Sequence, residues 1–536
     1  MAKKANRKSK TAARSFQLTY ATMFDPPPEL HTRYERALKK VKSGLGADVP
    51  MLINGEDRYT RRKIKNVSPI NTDWLLGTFQ HATARDVNHA ISAAQAMFPV
   101  WSGMKWERRI RLLRKATDRM EKRLFEIAAV ISLEVGKNRM EALGDAQEAI
   151  DLIRYACDRM EANDGYIRRM NDDPLVGYKS SNWSVMRPYG VWVVISPFNF
   201  PGALSGGPIG AALVTGNTVV AKSAEDTPWT ERLLAECFRA AGIPDGVFNY
   251  LSGYGETTGQ ALVDDPRVAG LTFTGSYEVG MRIYRSFAKA PYPRPLVLEM
   301  GGKNPAIVTR NADLDRAAQG IVRSAFGLSG QKCSACSRVL VEAPVKKKLT
   351  ELILKYTDEM VTVGDPTLRE NWMGPVINEG AYKNFGKHVR ALRKSGRVLT
   401  GGKHMRTGEL AKGYYCEPTV VDGVPRSHPL WKHEMFVPVT MITGVKSLDQ
   451  AIDIANGVDF GLTAGFYGSK ADAHKFYERS QAGVNYVNRP QGATTGAWPG
   501  FQPFGGWKSS GSTGKLAGGL YYLPVFMHEQ IHNMVE

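Results

Sequence analysis

Cysteine is scarce in this chain. Five are spread over 536 residues: Cys157, Cys237, Cys333, Cys336 and Cys416. An odd number, mostly isolated, excludes a disulfide framework and fits a reducing compartment, so a cytoplasmic location is expected. Cys333 and Cys336 form a Cys-x-x-Cys pair, but no second ligand pair and no amino-terminal βαβ context accompany it. Zinc binding and thioredoxin-like exchange are therefore not expected, and no metal site is; a reversible disulfide between the two stays open. Long apolar runs are lacking as well. The uncharged stretch from Gly190 to Ala221 is interrupted by Pro197, Asn199, Pro201, Pro208 and several glycines, whereas a membrane span wants about 20 uninterrupted apolar residues. Acids are missing around Lys3, Lys4, Arg7, Lys8, Lys10 and Arg14. Such a block reads as a solvated tail, with a nucleic-acid contact or a transit peptide as alternatives; it has no apolar h-region and does not read as a secretory signal.

What is present is ordinary globular material: 43% hydrophobic and 23% charged residues, with a net charge of +19. The length suits two to four domains, at roughly 100–200 residues each. After helical patterns at 30–42, 83–98, 106–134 and 146–160, strand and helix patterns alternate. Strands are expected at 191–195, 218–221, 247–251, 270–273 and 296–299, with helices at 229–241, 257–263 and 279–288 between them. A second alternating region follows, with strands at 306–308, 338–342, 398–400, 419–421, 439–443, 462–467 and 485–487. Alternation of this kind means parallel sheets with crossover helices, an α/β fold, and ligands at the carboxyl ends of strands. The polar stretch at about 163–183 and the carboxyl-terminal segment read as excursions.

Three side chains stand in distinctive surroundings. Cys333 lies in Gly330-Gln331-Lys332-Cys333-Ser334-Ala335, a turn expected to open a helix, where backbone N–H groups would favour a thiolate; a free cysteine is otherwise a small buried hydrophobe. Asn199, held between Pro197 and Pro201, is suited to donate to a developing oxyanion, or else caps the following helix. Glu299 ends an apolar strand before Gly301-Gly302 and suits a general base, or else is a strand-end acid paired with Lys303. Nucleotide signals sit at three strand ends: Lys222 and Glu225, Gly253-Tyr254-Gly255-Glu256-Thr257-Thr258-Gly259, and Thr274-Gly275-Ser276.

Together these motifs resemble the aldehyde dehydrogenase superfamily, from about residue 50 to the end. The resemblance rests on Pro197–Pro201, Gly216–Glu225, Phe273–Ser276, Leu298–Lys303, Gly330–Ala335 and Glu434–Val439. It implies an aldehyde dehydrogenase-like fold: a Rossmann-like cofactor domain, an α/β catalytic domain and a small β oligomerisation arm. The implied division is 1–50 basic tail and helix, 51–300 NAD-binding domain with the excursion at about 163–183 in the arm, 301–490 catalytic domain, and 491–536 substrate-anchor loop and oligomerisation segment. Cys333 is then the nucleophile, Asn199 and the Cys333 N–H the oxyanion hole, and Glu299 the base that activates water. Pro197, Lys222, Glu225, Gly255, Gly259, Ser276, Gly280, Glu434 and Phe436 would bind the cofactor. An acid at Glu225 repels a 2′-phosphate, which favours NAD over NADP. Ser223 and Val437 depart from the family pattern.

Leu133–Asn138 and Gly496–Gly506 further resemble 1-pyrroline-5-carboxylate dehydrogenases, which oxidise glutamate semialdehyde to glutamate in proline degradation. That implies Glu134, Phe200, Ser334, Gly496, Ala497 and Phe504 as substrate contacts, with the Gly496-Ala497 backbone gripping a carboxylate. Ala493-Thr494-Thr495 is inserted into that loop. Another semialdehyde or an aliphatic aldehyde, acyl transfer to coenzyme A, and an inactive basic nucleic-acid-binding relative are the competing readings. The implied partners are a small aldehyde and further copies of the chain, a homodimer or larger, with no membrane and no nucleic acid.

Overall fold

Val191–Ile195 is a run of β-branched and aromatic residues, and all five are buried. A strand without alternation is covered on both faces, the signature of a parallel sheet under helices. The structure, a computed structural model, describes residues 26–174 and 177–535; the cluster from Lys3 to Arg14 lies outside them. Its first large sheet runs in the spatial order Leu296–Glu299, Val268–Thr274, Val191–Ile195, Thr218–Lys222, Phe248–Leu251, Met51–Ile53, Glu56–Arg58. The first five pair parallel and the last two add an antiparallel hairpin edge. Asn54 and Gly55 turn that hairpin with positive φ of 51° and 79°, as a two-residue hairpin requires. Chain order reverses between Val191–Ile195 and Val268–Thr274, the Rossmann-type switch point where a crevice opens at the strands' carboxyl ends.

The glycines after Pro201 have a packing reason. Helix Ala203–Thr215 lies against helix Arg139–Ala162, and a Cβ at Gly210 would come 2.7 Å from Ile153 Cγ1. Small residues there let two backbones approach closely, which closes the apolar layer over the sheet.

Leu296–Glu299 leads through Met300–Lys303 straight into Asn304–Val308 of the second large sheet. That sheet runs Arg397–Thr400, Thr419–Asp422, Val439–Val445, Cys336–Glu342, Asn304–Val308, Thr463–Tyr467, Val484–Val487, parallel except at its first pair. The short link sets the carboxyl ends of the first sheet against the amino ends of the second. In a third sheet Ser180–Pro188 is the central strand, pairing antiparallel with Met527–Val535 on one side and Ile167–Arg169 on the other.

Three helix expectations need correcting. The pattern at 106–134 divides into Trp106–Lys122 and Leu124–Val135 at Arg123, whose ψ of 10° leaves the helical region. The helix expected at 146–160 spans Arg139–Ala162, capped by the Asn138 side chain on Met140 and Glu141 N–H. The helix expected at 257–263 opens as a wide π-turn, Gly255–Gly259, before Gln260–Asp264. Among the described residues no helix is long and apolar enough to cross a membrane.

Candidate active site

Cys333 does not open a helix. Helix Leu314–Phe326 ends before it, and strand Cys336–Glu342 begins after it. Between them Leu328, Ser329 and Gly330 all have positive φ, and Gly330 has no room for a side chain: a Cβ would meet Val437 O at 2.4 Å. The chain then turns tightly over Cys333-Ser334, closed by Ala335 N–H to Lys332 O at 2.9 Å. The backbone N–H groups of Cys333 and Ser334 both act to lower the thiol's pKa. A turn thus supplies the donors expected of a helix end. Burial outweighs them and, with Glu434 and Glu299 facing the sulfur, pushes the thiol well up from its ordinary range. Cys336 points elsewhere, buried in the core of the second sheet. Both cysteines are free, and among the described residues no cluster could hold a metal ion.

Asn199 is buried in the loop after Val191–Ile195, and its Nδ2 donates to Gln331 O at 3.0 Å. An amide carries two hydrogens, and one of them locks Asn199 to the loop that carries Cys333. Glu299 ends its strand beside the Gly505-Gly506 segment. Gly506 N–H donates to its carboxyl group, Oε2 is buried with no partner, and burial raises its pKa far above the usual carboxylate range.

Glu434 reaches over the link between the sheets. Its Oε1 accepts Gly302 N–H at 2.9 Å, and a Cβ at Gly301 would strike its Oε2 at 2.2 Å. Burial raises its pKa to about 7. Phe436 holds a left-handed φ of 55° and meets Phe198 edge-on at 5.8 Å. A bulky residue there costs of order 1–2 kcal/mol, and such strain collects at functional sites. The Val437 side chain joins the apolar core under the loop.

The other cofactor expectations gather at the carboxyl ends of the first sheet. Lys222 is buried, its Nζ donating to Ser223 O at 2.8 Å with Glu225 Oε2 at 3.8 Å. Nothing lies within 4 Å of where a Gly255 Cβ would be, and only the Lys222 stem approaches Gly259. Half-buried Pro197 follows the central strand. Ser276 caps helix Tyr277–Phe287, accepting Val279 N–H. A buried ammonium beside a carboxylate, glycines that leave space and a helix amino end at one crevice fit a ribose and a pyrophosphate. Gly280 is a correction: its N–H bonds to Ser276 O and its Cβ position is filled by Met300 Sδ at 2.5 Å, so it serves packing.

Glu134, expected to touch substrate, is another correction. Its carboxyl oxygens accept Trp229 N–H at 2.6 Å, and Thr230 N–H and hydroxyl at 2.9 and 2.6 Å. It caps helix Pro228–Ala241, whose own Thr227 makes no side-chain cap. Phe200 packs under Lys137, whose Nζ lies 3.6 Å from the ring centroid and 2.9 Å from Asp145. Ser334 is buried directly after the thiol. Gly496, with φ of 145°, backs onto the Arg489 guanidinium, and its carbonyl accepts the Tyr486 hydroxyl. Ala497 follows it. Phe504 pairs with Ala517 through both backbone bonds, two residues before the Gly506 that holds Glu299.

Asn304 was missed from sequence. Its Nδ2 donates to both Cys333 O and Ala335 O, at 2.7 and 3.0 Å, so it holds the nucleophile turn by its carbonyls. The signal was its position directly after Gly301-Gly302-Lys303.

With this geometry in view, comparison with known proteins is direct. The sequence profile of the aldehyde dehydrogenase family matches residues 56–530. The chain is 39% identical over 501 residues to the 1-pyrroline-5-carboxylate dehydrogenase of Geobacillus sp. (strain WCH70), covering 92% of this chain and 94% of that protein. The crystal structure of the 1-pyrroline-5-carboxylate dehydrogenase from Thermus with bound NAD superposes with a TM-score of 0.90 at 34% identity, covering 95% of this chain and 97% of that one. The betaine aldehyde dehydrogenase of Staphylococcus aureus in complex with NAD+ is similar at a TM-score of 0.86 and 25% identity, over 94% and 97% of the two chains.

Proposed function

This chain belongs to the aldehyde dehydrogenase family and is an NAD-dependent oxidoreductase of aldehydes; we propose that its substrate is L-glutamate γ-semialdehyde, oxidised to L-glutamate. The observation that carries the substrate is near-full-length similarity to 1-pyrroline-5-carboxylate dehydrogenases, 39% identical over 92% of the chain.

In this reading the Cys333 sulfur attacks the aldehyde carbon once its proton is lost. The other hydrogen of Asn199 Nδ2 and the Cys333 N–H take the developing oxyanion. When bound, NAD supplies the acceptor for the hydride that leaves the tetrahedral carbon. Lys222 and Glu225 would hold its adenine ribose, the Ser276 helix end its pyrophosphate, and Glu434 with Phe436 its nicotinamide end. The chain is left acylated at Cys333 as a thioester. Glu299 then takes a proton from water, which attacks the thioester and releases the acid. Gly496-Ala497 and Ser334 receive the distal carboxylate, between Phe200 and Phe504.

Exposed Ile167, Trp183, Ile531, Met534 and Val535 on the third sheet support a homodimer or larger assembly built through that arm. The free cysteines support a cytoplasmic setting, and nothing in the reading calls on nucleic acid.

The test is kcat/KM for glutamate semialdehyde, succinic semialdehyde and neutral aliphatic aldehydes, each with NAD and NADP. Glutamate semialdehyde with NAD should lead. A large advantage for the neutral aldehydes would remove the carboxylate anchor, and equal use of NADP would remove the role given to Glu225.

A further inference from the structure

Ala493 and Thr494 of the anchor loop are turned into the protein, away from the mouth of the site. Ala493 and Thr494 are 1% and 0% exposed. Ala493 N–H donates to Gly320 O at 2.9 Å, Thr494 N–H to Ser324 Oγ at 3.1 Å, and Ser324 Oγ lies 3.0 Å from Thr495 Oγ1. Ala493 O presses on Gly465, where a Cβ would sit 2.1 Å away. The segment folds inward, against helix Leu314–Phe326 and beneath the nucleophile turn.

From there Thr494 Oγ1 donates to Ser334 O at 2.6 Å. This completes a set. Gln331 O is taken by Asn199, Cys333 O and Ala335 O by Asn304, and Ser334 O by Thr494. In a trans peptide the carbonyl and the next N–H point opposite ways in one plane. Fixing these carbonyls therefore fixes where the N–H groups point. The Ser334 carbonyl shares its plane with Ala335 N–H, the group that closes the turn on Lys332 O.

We propose that Thr494 is a positioning residue for the reaction: by holding the Ser334 carbonyl it keeps the Cys333-Ser334 turn aimed so that both backbone N–H groups face the sulfur. This rests on the reading of Cys333 as nucleophile. Without the hydroxyl a buried carbonyl loses its partner, and the turn relieves that by rotating. The sulfur then keeps its acidic neighbours Glu434 and Glu299 but loses its donors. Lys332, the adjacent cation, is already paired with Glu141 at 2.8 Å.

The experiment compares Thr494→Val and Thr494→Ser with the parent. Alkylation of Cys333 by iodoacetamide is followed against pH in the cofactor-free protein by peptide mass spectrometry. The pre-steady-state burst of NADH formation and the Kd for NAD are measured alongside. Thr494→Val should move the alkylation midpoint up by roughly half to one pH unit and slow the burst about tenfold, the equivalent of one hydrogen bond. Thr494→Ser should stay near the parent, and Kd for NAD should not change. A parental alkylation profile and burst in Thr494→Val would overturn the proposal. So would a Thr494→Ser as impaired as Thr494→Val, which would assign the segment a packing role. Thr494→Ala provides the same readout where the valine variant does not fold. Cys333→Ser separates the two levels: a burst that survives it removes the nucleophile reading itself, whereas a null result at Thr494 with a Cys333-dependent burst removes this proposal alone.

Discussion

Gly302→Ala is the substitution whose effect can be worked most directly from distances. An alanine Cβ at this position would lie 2.4 Å from Cys333 O, and 2.7 and 2.9 Å from the Asn304 amide oxygen and nitrogen. Ordinary C···O contacts begin at about 3.3 Å, so roughly 1 Å of room must be found. Neither neighbour can yield alone, because Cys333 O and Asn304 Nδ2 are joined by a 2.7 Å hydrogen bond and Asn304 Oδ1 is tied to Thr463 N–H at 3.1 Å. The movement therefore goes into the nucleophile turn. A displacement of about 1 Å at reacting groups costs on the order of 10²-fold in rate, and overpacking costs about 1–3 kcal/mol of stability. The expected result is a kcat/KM lowered by about two orders of magnitude with a melting temperature lower by only a few degrees. Steady-state kinetics and differential scanning calorimetry read the two numbers. A Gly302→Ala enzyme within threefold of the parent would refute the reasoning, since the turn would then tolerate the shift that the distances demand.

Glu299→Gln should leave the NADH burst in place and slow its steady-state turnover by about 10²–10⁴-fold, the usual worth of a general base, with acyl-enzyme visible by intact mass; full turnover would remove Glu299 as the base. The parent enzyme should lose activity as pH falls, because Cys333, Glu299 and Glu434 are all held above their ordinary ranges and their deprotonated forms are the working ones. A pH profile flat down to pH 5 would contradict that sign. Glu134→Ala should cost about 2–4 kcal/mol through a lost helix cap and stranded buried N–H groups, and leave KM for the aldehyde within about twofold; an unchanged melting temperature with a tenfold higher KM would return Glu134 to the substrate.

Strands such as Val191–Ile195 and Leu296–Glu299 could be read to the residue, because short β-branched runs between turn residues leave few other options. Helix ends were harder. Nothing in Arg123 marks a break, since the amphipathic pattern runs on through it with no glycine or proline. The helix from Arg139 starts well ahead of its continuous apolar pattern because Asn138 caps it. Cys333 was assigned to a helix start because Gly330-Gln331 is a turn signal that serves a helix or a strand equally. The residues to which the proposed mechanism gives side-chain chemistry, Cys333, Asn199 and Glu299, could be picked out from their motifs. Glu134 could not be judged that way, since what it holds lies on a distant helix. Asn304 and Thr494 act by grasping carbonyls of a remote turn, and no local pattern records which backbone a side chain will meet.

That division explains how a sulfur can work between two acids. Under the proposed mechanism Glu434 and Glu299 serve other steps, at the cofactor ribose and at the attacking water, so they cannot be moved away from Cys333. Burial offers the compromise. It raises Glu434 to about 7 and holds Glu299 well above the ordinary carboxylate range, which lessens the negative charge beside the sulfur. The pair of backbone N–H groups on the turn works against the rise of the thiol, and the carbonyls on either side of them are held by Asn199, Asn304 and Thr494. The reactive sulfur is thus a property of three distant segments meeting where one sheet's carboxyl ends face another's amino ends.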